Sequence, residues 1–132
     1  CMNENIESEI VSEWISFANA DLQAAELLAQ SNALQFIEII CYHCHQSAEK
    51  YLKAYILQEG LGKVRTHDLR SLCDLCIKQD VEFEEIQRSA AYLSPMSTVT
   101  RYPHHQDITD GMMKVCIQSA KAIQNFVLLK IS

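Results

Sequence analysis

Residues 34–60 read LQFIEIICYHCHQSAEKYLKAYILQEG, and this stretch decides the fold class. Its apolar residues recur every three or four positions, as in an α-helix, and the run ends at Gly60, a residue typical of helix C-termini. Ile39, Tyr42 and Leu57 lie opposite the main stripe, so we expect one face in the core and the other against a second subunit. The main stripe comprises Ile37, Ile40, Cys41, Cys44, Ala48, Tyr51, Leu52 and Tyr55.

The same period continues on both sides of this stretch. It predicts four further helices, at about residues 6–30, 68–79, 82–93 and 108–130. Three glycines and two prolines are few breakers for 132 residues, and no alternating β-branched run favours a sheet. The prediction is therefore an all-α, up-and-down bundle of about five helices that forms one domain over residues 1–132. Residues 94–107, SPMSTVTRYPHHQD, are predicted to be one long loop because two prolines interrupt them.

Charge and hydropathy narrow the functional classes. The net charge of −6 argues against non-specific coating of nucleic acids, which needs a basic surface. Lys63, Arg65 and Arg70 make the middle locally basic, so a local anion site is compatible with the sequence. No apolar stretch reaches the ~20 residues of a membrane span, and no secretion signal is visible, so we expect a cytoplasmic protein with no membrane contact.

Two cysteine pairs, Cys41-x-x-Cys44 and Cys73-x-x-Cys76, resemble a four-cysteine zinc site. However, each pair lies on the apolar stripe of a predicted helix, whereas zinc ribbons place such pairs on tight turns. Unmetallated cysteine is itself among the most buried residue types. We therefore predict packing residues, and neither a metal site nor a cofactor; a helix-borne metal or redox site is the alternative.

The densest cluster of chemically competent side chains is Arg101, His104 and His105 in the predicted loop. Arginine can clamp an anion, and histidine titrates near neutral pH, so together they could hold a phosphate and move a proton. The alternative is a loop that Arg101 pins to the bundle. Its candidate partner is Asp21, a carboxylate on the apolar stripe of the first helix that is costly to bury unless paired. His67, at the start of the third helix, has either a functional or a purely local role.

Several of these segments together resemble the HEPN domain (higher eukaryotes and prokaryotes nucleotide-binding). In the first helix the resemblance includes Trp14, Ala18, Asp21-Leu22 and Ala25. In the second helix, Gln46-Ser47-Ala48-Glu49-Lys50-Tyr51-Leu52-Lys53-Ala54 is similar to the family signature Gln-x-Ala-Glu-Lys-x-Leu-Lys-Ala. Thr66-His67-Asp68-Leu69 and Arg101-Tyr102-Pro103 follow in the order that the family shows.

The resemblance implies a helical bundle that dimerises and pairs with a small nucleotidyltransferase in a two-component, toxin–antitoxin-like system. A nucleotide or another anionic ligand would bind at Arg101, His67, Lys50 and Asp21. The alternative implied by the family is a metal-independent ribonuclease toxin that uses Arg101 with His104 or His105. In ribonuclease members four to six residues lie between the arginine and the histidine, whereas here only two or three residues intervene. A non-catalytic binding module is therefore preferred, and enzymatic activity is left open.

Overall fold

The computed structural model describes residues 2–99 and 107–131, and the elements in these ranges are helical. They comprise α1 (Met2–Asn32), α2 (Ile37–Gln58), α3 (Leu69–Gln79), a 3-10 helix (Val81–Ile86) that runs into α4 (Gln87–Leu93), the short α5 (Met96–Val99) and α6 (Asp110–Ile131). The all-α prediction is confirmed, and the five predicted helices correspond to α1, α2, α3, the 3-10 helix with α4, and α6.

The predicted loop over residues 94–107 is partly wrong, because Met96–Val99 form one helical turn. Pro95 does not prevent the turn because a proline at a helix start has no N–H that needs an intrahelical partner. Its carbonyl oxygen accepts from the backbone N of Thr98 at 3.2 Å. Met96 and Ile108 are both buried, so the chain is anchored in the core on each side of residues 100–106. Arg101, His104 and His105 lie outside the described residues.

The end of α2 confirms the role predicted for Gly60. This glycine has a φ of 65°, in the left-handed region that costs other residues energy. Its N–H donates to the carbonyl of Leu57, and the N–H of Leu61 donates to the carbonyl of Ile56. These two bonds form a Schellman motif, which satisfies the last carbonyls of the helix and turns the chain toward α3.

The start of α3 is capped by Asp68. Its carboxylate accepts from the backbone N of Arg70 at 3.4 Å and from the hydroxyl of Ser71 at 2.7 Å. The hydroxyl of Thr66 accepts from the backbone N of Asp68 at 3.1 Å. Asp68 also accepts from Ser94 Oγ at 2.9 Å, so one carboxylate ties the start of α3 to the residue that follows α4.

Helix α2 is the centre of the bundle and packs against α1, α3 and α6. Tyr51 is fully buried, and its hydroxyl contacts Asn19 on α1 and accepts from Gln124 Nε2 on α6 at 2.7 Å. A second tie joins Ser47 Oγ to the carbonyl of Ala18 at 2.8 Å. The three long helices are thus connected by polar contacts as well as by apolar packing.

The apolar stripe predicted for α1 divides into two faces. Val11, Ala18, Leu22 and Ala25 are buried, whereas Ile10 and Phe17 lie on the surface with 38% and 59% of their area exposed. Trp14, between these two, is half-buried. These exposed apolar residues show that α1 is covered on one side only. None of the helices in the described ranges combines the length and the apolar character needed to cross a bilayer.

The five cysteines in the described ranges are all fully buried and reduced, as the sequence predicts for packing residues. Among the described residues, no three metal-binding side chains come close enough to hold one ion, so the two pairs do not form a common tetrahedral site. Burial raises the pKa of Cys44, that of Cys73 to about 11 and that of Cys76 to about 12. These thiols therefore stay protonated at neutral pH.

Candidate functional site

Two ionic clusters lie along α2, and each is built around one carboxylate. In the first, the Asp21 cluster, Asp21 on α1 faces His43 and Lys50 on α2. The Nδ1 atom of His43 lies 3.0 Å from Asp21 Oδ1, and the Lys50 ammonium contacts Oδ2. A carboxylate only accepts, so His43 Nδ1 donates and the neutral ring keeps Nε2 as its acceptor.

This arrangement gives Asp21 two partners that the sequence analysis did not assign to it. Its side chain is only 14% exposed, so the two contacts offset the cost of burying the charge. The pairing of Lys50 with Asp21 brings together two of the four predicted ligand-binding residues. The predicted contact between Asp21 and Arg101 stays a prediction, because Arg101 lies outside the described residues.

The second cluster, the Glu49 cluster, comprises Glu49, Lys53 and His67. The Glu49 carboxylate is only 8% exposed, and its Oε2 accepts from Lys53 Nζ at 2.8 Å and from His67 Nδ1 at 2.7 Å. His67 comes from the segment before α3, and 75% of its side chain is exposed. Lys53 Nζ also lies 3.5 Å from His67 Nδ1. The ring of His67 is thus held at one edge and open to solvent.

His45 lies one turn before Glu49 on α2 and is fully buried. Its Nδ1 is 3.2 Å from Gln46 Oε1 and 3.9 Å from Glu49 Oε1. His43, only two residues away, is partly exposed and belongs to the Asp21 cluster. Residues two apart on a helix diverge by over half a turn, so the two rings have different surroundings although they are close in sequence.

The contacts explain how the motifs of the sequence fit together in space. The segment Gln46–Ala54 of α2 supplies both Lys50, which reaches Asp21 on α1, and Glu49, which reaches His67 before α3. Ala48, Leu52 and Ala54 of the same segment are fully buried. One face of this segment therefore builds the core, while its polar residues connect α1 and the start of α3.

The sequence analysis missed Glu49 and Lys53 as site residues. A signal was present, since a glutamate followed four residues later by a lysine is the favourable order for a helical ion pair. Glu49 also lies beside the apolar stripe, where a carboxylate needs partners, as at Asp21. What the pattern lacks is any indication that His67, 18 residues further on, reaches the same oxygen.

The described elements form an all-α bundle whose central helix α2 carries both clusters. The sequence profile of the HEPN domain matches residues 11–131, and the chain therefore belongs to the HEPN family. The crystal structure of an archaeal HEPN homologue is similar, with a TM-score of 0.70 and 26% sequence identity over 92% of this chain and 98% of the other. Among curated proteins, none matches this chain.

Proposed function

We propose that this chain is a dimeric HEPN module that binds a nucleotide or another phosphate-bearing ligand and pairs with a small nucleotidyltransferase in a two-component, toxin–antitoxin-like system. The observation that carries the ligand proposal is the pair of clusters on α2, in which two carboxylates hold two lysines and two histidines. Three of the residues proposed to bind the ligand, Asp21, Lys50 and His67, belong to these clusters. Arg101 completes the proposed set.

The donors of the clusters fit an anionic ligand. Asp21 and Glu49 hold Lys50, Lys53, His43 and His67 along one helix, and the N–H groups of these side chains can donate to phosphate oxygens. Each carboxylate also restricts the side chains that it holds, which lowers the entropy cost of placing them around a ligand.

An affinity measurement tests this site. Fluorescence anisotropy with a fluorescent ADP analogue and with a labelled single-stranded RNA would report binding by the wild type. We expect Lys50→Gln to weaken binding of the preferred probe about tenfold, because one charge-assisted bond to phosphate contributes about 1.5–3 kcal/mol.

Lys114→Gln is the matched control. Lys114 is an exposed lysine on α6 that pairs with Asp110, so its removal changes the net charge equally without touching α2. An equal loss of affinity in Lys50→Gln and Lys114→Gln would show that the net charge of the protein, and not the α2 site, is responsible for the effect. Absence of binding to both probes would refute the ligand proposal.

The proposed dimer surface is the uncovered face of α1. Ile10, Trp14 and Phe17 form an apolar row there, and Ile10 and Trp14 line a groove with Leu57 and Val64. Exposed apolar patches on one side of a small domain are typical of protein interfaces. Leu57 is also on the α2 face for which the sequence predicts a subunit contact. The family commonly dimerises, which makes a second copy of the chain the proposed occupant.

Light scattering coupled to gel filtration tests the dimer. Phe17→Ser should shift the protein from dimer to monomer, since it removes an apolar contact from the proposed interface. Leu34→Ser is the control, because Leu34 is more exposed than Phe17 and lies between α1 and α2, away from this row. A monomeric wild type, or a Phe17→Ser variant that remains dimeric, would contradict the proposal.

The partner proposal needs a separate experiment. A small nucleotidyltransferase encoded beside this gene should co-purify with the tagged chain and remain bound through gel filtration.

The ribonuclease alternative stays a prediction as well, since Arg101, His104 and His105 lie outside the described residues. The domain boundary of 1–132 is proposed on the match over residues 11–131, which occupies nearly the whole chain.

A further inference from the structure

A solvent-open cleft lies between α3 and α4, and its lining is positively charged although the chain as a whole is acidic. Its volume is about 440 Å³, within the range of small-molecule sites. The net charge of the chain is −6, yet the cleft carries two arginines and one aspartate. It is lined by Arg70, Cys73 and Asp74 on α3 and by Gln87, Arg88 and Ala91 on α4.

The two arginines differ from the lysines of the α2 clusters in their partners. Among the side chains of residues 5–98 and 107–131, no carboxylate lies within 4 Å of Arg70 or Arg88, whereas Lys50 and Lys53 each have one. Asp74 follows Arg70 by four residues on α3 and makes no ion pair with it. The two arginines therefore line the cleft from its two helices without a counter-ion among the described side chains.

The walls of the cleft are braced against each other. At one end, Asp68 caps α3 and accepts from Ser94 Oγ, which follows α4. On the inner side, Cys73 is fully buried, and its Sγ lies 4.0 Å from the carbonyl oxygen of Phe83 in the 3-10 helix that leads into α4. The hydrogen bond between Asp68 and Ser94 joins the start of α3 to the residue after α4 and so connects the two helices that carry the arginines.

We infer that this cleft is a phosphate-binding site, in which Arg70 and Arg88 hold oxygens of one or two adjacent phosphate groups. Guanidinium offers planar, paired N–H donors that match phosphate oxygens, and the Gln87 amide adds a further donor. Asp74 repels the same ligand and limits its affinity. The ligand is a nucleotide diphosphate or the backbone of an RNA strand. The site is separate from the α2 clusters and does not depend on the function proposed for them.

Inorganic pyrophosphate is the first probe, since it carries the phosphate chemistry without a base. In ¹⁵N-labelled protein, its addition should shift the side-chain Nε–Hε resonances of Arg70 and Arg88. Arg70→Gln and Arg88→Gln should each weaken binding about tenfold, as expected for the loss of one charge-assisted contact. Asp74→Asn should tighten binding two- to threefold, because it removes the repelling charge. ADP and a labelled RNA octamer, titrated in the same way, distinguish the two sources of phosphate.

Two controls keep the outcome clear. Lys78→Gln removes an exposed charge from the same helix outside the cleft and should leave binding unchanged. Lys114→Gln on α6 should also leave it unchanged. The Nε–Hε resonances of Arg70 and Arg88 report this cleft and not the α2 clusters, so failure of the α2 proposal and failure of this one are distinguishable. Equal weakening in Lys78→Gln and Arg88→Gln, unshifted arginine resonances, or weaker binding by Asp74→Asn would each overturn the inference.

Discussion

Replacing Glu49 with glutamine tests the ionic organisation of α2 most directly. The substitution keeps the size of the side chain but removes a charge that is only 8% exposed and that holds Lys53 at 2.8 Å and His67 at 2.7 Å. Lys53 is 14% exposed, so it would lose its counter-ion in a poorly hydrated position. Removing one partner of a fully buried ion pair costs about 3–5 kcal/mol.

The expected cost here is smaller, about 2 kcal/mol, for two structural reasons. The amide oxygen of glutamine can still accept from Lys53, which preserves a neutral hydrogen bond in place of a charged one. His67 is three-quarters exposed, so water replaces its lost contact at little cost. His67→Ala should therefore destabilise the protein by less than about 1 kcal/mol. For a domain of this size, 2 kcal/mol corresponds to a decrease in Tm of about 8 °C.

Thermal and urea unfolding, followed by circular dichroism at pH 7.5, provide the assay. Glu85→Gln is the matched control, since Glu85 is exposed on the 3-10 helix and its loss should change stability by less than about 0.5 kcal/mol. A double-mutant cycle with Lys53→Gln should give a coupling energy of about 1 kcal/mol. The reasoning fails if Glu49→Gln is no more destabilising than Glu85→Gln, or if His67→Ala costs as much as Glu49→Gln.

Three further predictions concern the Asp68 cap of α3, the buried thiols and the ribonuclease alternative. Hydrogen bonds, above all from Ser71 and then from Ser94, lower the pKa of Asp68; Asp68→Ala should cost about 1 kcal/mol in chemical unfolding at pH 7, and the difference from wild type should vanish as the pH falls through that lowered pKa. Metal analysis of the purified protein should give far less than one zinc per chain, and Ellman's reagent should modify the buried cysteines only after unfolding; stoichiometric zinc would overturn the packing interpretation. Neither the wild type nor Arg101→Ala should cleave RNA over hours, whereas cleavage by the wild type that Arg101→Ala abolishes would establish the ribonuclease alternative.

The periodicity of apolar residues determined the helices to within a few residues at most ends. A 3.6-residue period is a local property of the chain, and Gly60 marks a helix end because few other residues adopt its backbone conformation cheaply. The family resemblance likewise depends on short segments in a given order. The fold class was therefore readable without coordinates, as were Asp21 and Lys50 as residues of interest.

Packing decided which of the equivalent positions face the core. The α1 stripe looks uniform in sequence, but Ile10 and Phe17 are exposed because α2 and α6 cover only one side of that helix. The sequence also gave no indication of the contacts that these charged side chains make between elements, since the partners lie 18 to 29 residues apart along the chain. Periodicity places a side chain on one face of its own helix, and only the relative positions of the helices determine what that face contacts. For this reason the contact between Glu49 and His67, and the cleft that two arginines of α3 and α4 line, are properties of the tertiary structure.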